Sequence, residues 1–491
     1  MAATLHSKYP VVSRVRGDIR LVFRIQPFSP GLLVVWGLLA LLLVSCSAKK
    51  PATREDRQKW NLTTLKGSYE SAGHKNPKWD KDAEESLGDF ARLQTASDGE
   101  VEALSALIGD AAHDAVKAGC DDPMIGYLYA RFSSQAKAKP LSERQGLYRA
   151  AALKLEGSGY PPLRKFYANV AAAEILWQRR DTNRWPEVRQ CRGAAVEDLN
   201  QALQDRTLPE AEVFQAAEGL FQLLSHNTRE LTNAYNQIEA TLSHQGGKSA
   251  TAEFIKAEFY LQYAWLARGH GTADQVSQEG WRLFHERLAA AEKALQRAWS
   301  LDPQDAQIPT LMISIVLGQE AGRAEMEKWF ARAMAADPNN YPACRAKLHF
   351  LLPQWYGSRA DMLAFGRECV TNTNWGGHVP LILVDAHSEF DRTLTREGRV
   401  EYWAMPDVWP DIQAGYERFA QANPDATRFR YPYAWYAFEC GQMDPFKTQL
   451  KLIAQNDGEV KYGYFGGKAA FDRAMALASG QAAPTNAVPV P

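Results

Sequence analysis

Two segments of this chain, AEKALQRAWSLDP (291–303) and MEKWFARAMAADP (326–338), carry one shared pattern, and it restricts the fold more than any other feature. Ala291, Leu295, Ala298 and Pro303 stand at the same offsets as Met326, Phe330, Ala333 and Pro338, and the two prolines are 35 residues apart. Offsets of four and three place the apolar residues on one face of a helix. A small Ala lets a second helix approach closely, and the larger apolar residue fills the groove between them. Asp-Pro then ends one helix and opens the next, because a residue before Pro is pushed out of the α region.

The helical period continues over most of the chain from Trp60 onward. Val101, Leu104 and Ile108 share one face of a helix that Gly119 is placed to end, and Asp122-Pro123 opens the next. Leu147, Ala150, Ala151 and Leu155 predict a further stripe, stopped by Gly157, Gly159 and Pro161-Pro162; helices over 166–178, 196–203 and 209–224 follow. A looser third copy holds Tyr416, Phe419 and Asn423-Pro424, before helices over 433–440 and 445–454 that turn at Gly441. No alternating run demands a strand and no Asn-Gly hairpin signal occurs. The expected fold is all-α, a solenoid of helical hairpins.

The offsets resemble the second helix of the tetratricopeptide repeat, whose period is about 34 residues. Residues 250–390, and more weakly 120–250, also resemble an uncharacterised family of bacterial envelope proteins with tetratricopeptide-like helices. That resemblance is carried by AWLARGHG (264–271), Trp281 with Phe284, the Asp-Pro helix and LLPQWYGS (351–358). It implies a fold and assigns no reaction.

The N-terminus reads as an address. Lys8, Arg14, Arg16, Arg20 and Arg24 precede an apolar run, GLLVVWGLLALLLV (31–44), too short to span a bilayer comfortably and long enough for a signal-peptide core. Leu43-Val44-Ser45-Cys46 then resembles the lipobox of bacterial lipoproteins, which implies lipidation at Cys46. Ser47 after the cysteine, by resemblance to Gram-negative sorting rules, favours the outer membrane.

Little else points to chemistry. Lys plus Arg number 56 against 57 Asp plus Glu, which gives no electrostatic reason for nucleic acid. The six cysteines, Cys46, Cys120, Cys191, Cys344, Cys369 and Cys440, contain no Cys-x-x-Cys pair. Gly246-Gly247-Lys248-Ser249 lacks the first glycine of a phosphate loop, since Leu242 stands there, and Ala469 spoils Gly466-Gly467-Lys468. The densest ligand cluster, His378, Asp385, His387, Glu389 and Asp391, reads as helical, with Asp385 beside Glu389 and His387 pointing away. No Gly-x-Ser-x-Gly elbow occurs, and sequence alone nominates no facing carboxylate pair. Neither a catalytic residue, a metal site nor a cofactor is expected. Trp355, Tyr356, Trp375, Trp403 and Trp409 lie in loop-like, Gly- and Pro-rich surroundings and are the ligand-facing candidates; the alternative is that they close helix ends.

The expected organisation is a signal peptide over 1–45, a tether over 46–58 and an N-terminal helical region over 59–249. The tetratricopeptide-like repeat region over 250–400, helical hairpins over 401–480 and a disordered tail over 481–491 complete it. The expected function is a non-catalytic protein-interaction scaffold, lipid-anchored in the bacterial cell envelope at the outer membrane and facing the periplasm. Its partner is a protein or peptide; a glycan ligand, or an enzyme with an unrecognised acid pair, are the alternatives.

Overall fold

The computed structural model describes residues 54–479 apart from 96–97, 179–181, 206, 245–248, 270, 425, 427–428, 458–459, 461–464 and 466–467. Among the described residues there are 22 α-helices and no strand. After α1 (Arg54–Ala72) the helices come in pairs: α2 (Asp80–Leu93) with α3 (Asp98–Lys117), then α4 (Pro123–Phe132) with α6 (Leu141–Glu156), the single turn α5 (Ser134–Lys137) lying between. The pairs α7 (Pro162–Trp177) and α8 (Trp185–Ala202), α9 (Glu210–Leu224) and α10 (Thr228–His244), and α11 (Ala250–Arg268) and α12 (Gln278–Leu301) follow. Next come α13 (Gln307–Gly318) with α14 (Arg323–Ala336), and α15 (Tyr341–Phe350) with α16 (Arg359–Thr371). The last are α17 (Ile382–Asp391) with α19 (Val408–Ala422), which flank the short α18 (Arg396–Trp403), then α20 (Arg430–Glu439) with α21 (Met443–Asp457), and finally α22 (Lys468–Ala478).

Each second helix packs on the first helix of the following pair. First helices also touch each other across the intervening helix: α7 packs on α9, α9 on α11, α11 on α13, α13 on α15, and α15 on α17. The shared sequence pattern is the cause. Ala291, Leu295, Ala298, Met326 and Ala333 are all fully buried and Phe330 nearly so. Asp302 and Asp337 leave the helical conformation and end α12 and α14 just before their prolines. Side-chain caps start several helices, with Asp122 accepting from the Met124 and Ile125 amides and Asn340 from that of Ala343. Gly119 (φ 100°) and Gly441 (φ 70°) take the left-handed conformation their turns require. Polar links tie successive pairs: Tyr341 donates to Asp385 at 2.6 Å and Arg345 to Glu389 at 3.3 Å, each across 44 residues.

Three expectations need correction. The buried face of α6 is Gln145, Ala151, Ala152 and Leu155, while Ala150 is exposed and Leu147 only half-buried. Helix α8 starts at Trp185 rather than 196, because Arg192 and Asp198 are buried and interrupt the apolar signal with charge. Residues 54–58, expected as tether, are helical; Arg57 is held by the fully buried Glu212 at 3.0 Å, a partner far away in sequence.

Candidate functional site

Three separated motifs converge in space. AWLARGHG supplies Trp265 and Arg268 at the end of α11, Trp281 opens α12 with His285 one turn on, and the turn after α15 supplies Trp355. Trp265 and Trp355 meet edge to face, their ring centres 6.5 Å apart, and His349 of α15 lies 6.2 Å from Trp355. The Arg268 guanidinium sits 5.6 Å from the Trp265 ring and 5.4 Å from that of Trp281, while donating to the Gly269 and Gly271 carbonyls. Such a cation between two rings fixes both. Trp281 stacks on His285 at 5.7 Å. The three tryptophans are half-buried, so each keeps an edge or face in reach of solvent. The Trp355 indole N–H is itself buried without an acceptor. Burial lowers the pKa of His349, with Glu389 pulling the other way.

The remaining aromatic candidates do not join this cluster. Tyr356 stacks on Phe350 at 4.6 Å, and Trp375 stands perpendicular to Phe330 at 5.7 Å. Trp403 is buried, donates to Asp391 at 3.0 Å and packs on Tyr436 at 5.0 Å. Trp409 stacks on Tyr433 at 5.8 Å. Tyr356, Trp375 and Trp409 are half-buried and pack against the core clusters, and Trp403 belongs to one. Cys46 lies outside the described residues, as do Gly246, Gly247, Lys248, Gly466 and Gly467. Lys468 opens α22 and pairs with Asp472.

Two polar arrangements escaped the sequence. The first is a row on successive first helices: Arg131 on α4, Glu174 on α7, Glu218 on α9 and Glu258 on α11, spaced 43, 44 and 40 residues apart. Glu174 and Glu218 are exposed, and partial desolvation raises the pKa of both, with Arg131 opposing it at Glu174. Glu258 is buried; desolvation pushes it up to about 7, Gln262 holds it with one hydrogen bond, and Glu218 adds a like charge. These residues sit on successive first helices, so only the paired-helix register reveals the row.

The second is a clamp around His387. Its Nδ1 lies 2.7 Å from the Tyr402 hydroxyl and its Nε2 3.1 Å from Asp411, which also accepts from Arg367 at 2.8 Å. Burial opposes ionisation of Asp411, but the His387 and Arg367 hydrogen bonds and the Arg367 charge outweigh it and hold the carboxyl below its usual range. Burial raises Tyr402 to about 12 against the nearby Arg359. His387 and Tyr402 are each 1% exposed, so the clamp joins α17, α18 and α19 inside the core. A third buried polar group, Asp198 on α8, shares Asn169 with Glu156 of α6. Among the described residues no three His, Cys, Asp or Glu side chains are grouped to hold a metal ion. A scan against protein-family models gives no match, and a comparison with curated proteins gives no significant match either.

Proposed function

We propose that this chain is a lipid-anchored bacterial envelope protein whose body is a non-catalytic, tetratricopeptide-like stack of helical hairpins, a scaffold for a protein or peptide partner. The observation that carries the reading is the packing of first helix on first helix, with a row of solvent-reaching, desolvated charges along them. Stacked hairpins generate an extended inner surface, and a row of charges along it suits an extended chain better than a small molecule. Anchoring rests on the basic and apolar N-terminus ending at Cys46, and the outer-membrane, periplasm-facing placement rests on Ser47. Among the described residues no helix is long and apolar enough to cross a membrane.

The convergence of Trp265, Trp281 and Trp355 favours a second reading, a glycan-binding lipoprotein, because half-exposed indoles stack on sugar rings. The anchoring claim is tested with Cys46→Ser. The variant should lose the acyl mass and leave the membrane fraction as unprocessed precursor or soluble chain. Unchanged mass and fractionation would remove it.

A further inference from the structure

The first half of α1 is docked on the body almost wholly through polar groups. Asn61 is fully buried, and its amide stands between two charges: its oxygen accepts from Arg164 of α7 at 2.9 Å, and its nitrogen donates to Glu212 of α9 at 3.1 Å. Arg57 adds a second donor to the same Glu212 oxygen at 3.0 Å, and the Thr64 hydroxyl accepts from Arg164 at 3.2 Å. The second half of α1 is held differently, by the fully buried Leu65 and by Tyr69, whose hydroxyl donates to Asp80 at 2.7 Å. Only Trp60, half-buried beneath the Arg164 guanidinium at 5.7 Å, contributes an apolar ring to the first half.

The closed arrangement leaves polar atoms unsatisfied. Arg164 Nη1, Glu212 Oε2 and the Tyr167 hydroxyl are all buried without a hydrogen-bond partner. They influence one another electrostatically, so they lie in one neighbourhood, and Arg57 belongs to it too. A donor, an acceptor and a hydroxyl shut away from water together oppose the docked state. Lifting the first half of α1 would readmit water to all three. It would also withdraw Asn61 from between Arg164 and Glu212, leaving those charges free to pair directly.

We propose that residues 54–64 form a releasable strap, closed over Arg164 and Glu212 through Asn61 and Arg57, and able to lift while residues 65–72 stay packed. This goes beyond the scaffold reading and does not depend on it.

Hydrogen–deuterium exchange of the full chain, read by mass spectrometry, tests the device. The first four helical amides lack intrahelical partners and exchange fast in any case, so the comparison is between residues 59–64 and 66–72. The strap is expected to exchange about tenfold or more faster than the second half of the same helix. Arg57→Ala should speed exchange in 59–64 further. Tyr167→Phe should slow it several-fold, because it deletes an unsatisfied hydroxyl that opposes closure. A helix that is simply part of the fixed core would exchange alike in both halves and respond to neither substitution, and that result overturns the proposal. Faster exchange in Tyr167→Phe overturns it as well.

Discussion

Gly366 offers a sharp test of how closely successive helix pairs approach. It lies within α16, where Ala would ordinarily be the better helix former by about 1 kcal/mol. A Cβ at this position would stand 2.7 Å from the Leu383 Cα and 2.8 Å from its Cδ1, so α17 blocks it with backbone as well as side chain. Overpacking of this kind costs about 1–3 kcal/mol, and a backbone obstacle places it toward the upper end. Gly366→Ala is therefore expected to lower stability by about 1–2 kcal/mol net. Gly219 in α9 is the control, because a Cβ there meets nothing within 4 Å. Gly219→Ala should raise stability by about 0.5–1 kcal/mol through helix propensity alone. Urea unfolding followed by circular dichroism reads both, as opposite shifts of the midpoint at similar slope. If Gly366→Ala matches or exceeds the unsubstituted chain, the close approach of α16 and α17 is wrong.

Three further outcomes follow from buried groups. Burial, then the Glu156 hydrogen bond and charge, push the Asp198 pKa well above the ordinary aspartate range; its contribution is full below the unfolded-state value and is lost as pH rises through neutral. Asp198→Asn should flatten that decline in a series of melts, and an unchanged pH profile would count against a buried, protonated Asp198 beside Glu156. Asp411 has the opposite sign, since its lowered pKa gives stability above the ordinary aspartate range that disappears as pH falls through the folded value. Asp411→Ala should cost about 2–4 kcal/mol by leaving His387 Nε2 buried and unpaired, and a loss under about 0.5 kcal/mol in urea would refute the clamp. Ala333→Leu should cost about 1–3 kcal/mol by the same assay, because Ala333 is fully buried where α14 meets its neighbours.

Much of the helical architecture was legible in the sequence because its causes are local. Offsets of four and three, Asp-Pro stops and the Asp122 cap act within a few residues, and α12, α14 and α4 end or begin where those signals stand. The failures share a different cause. The starts of α1 and α8 were hidden because charged residues there are buried against partners far along the chain, Arg57 on Glu212 and Arg192 on Glu230. No periodicity reports a contact of that kind. Of the aromatic candidates, Trp355 could be singled out from its turn, but its neighbours Trp265 and Trp281 lie in helices that sequence treats as ordinary core. The row of Glu174, Glu218 and Glu258 needs the register between pairs, which three isolated acids do not carry.

The scaffold reading is tested most directly by photocrosslinking in the native envelope. A photoreactive residue would replace Glu174 or Glu218, both exposed on the first helices, and, as a control, Leu107, which is 52% exposed on the second helix α3. The expected result is one protein captured from both inner positions and absent from the control. Capture of nothing from the inner positions, or the same proteins from Leu107, would contradict a partner-binding inner surface.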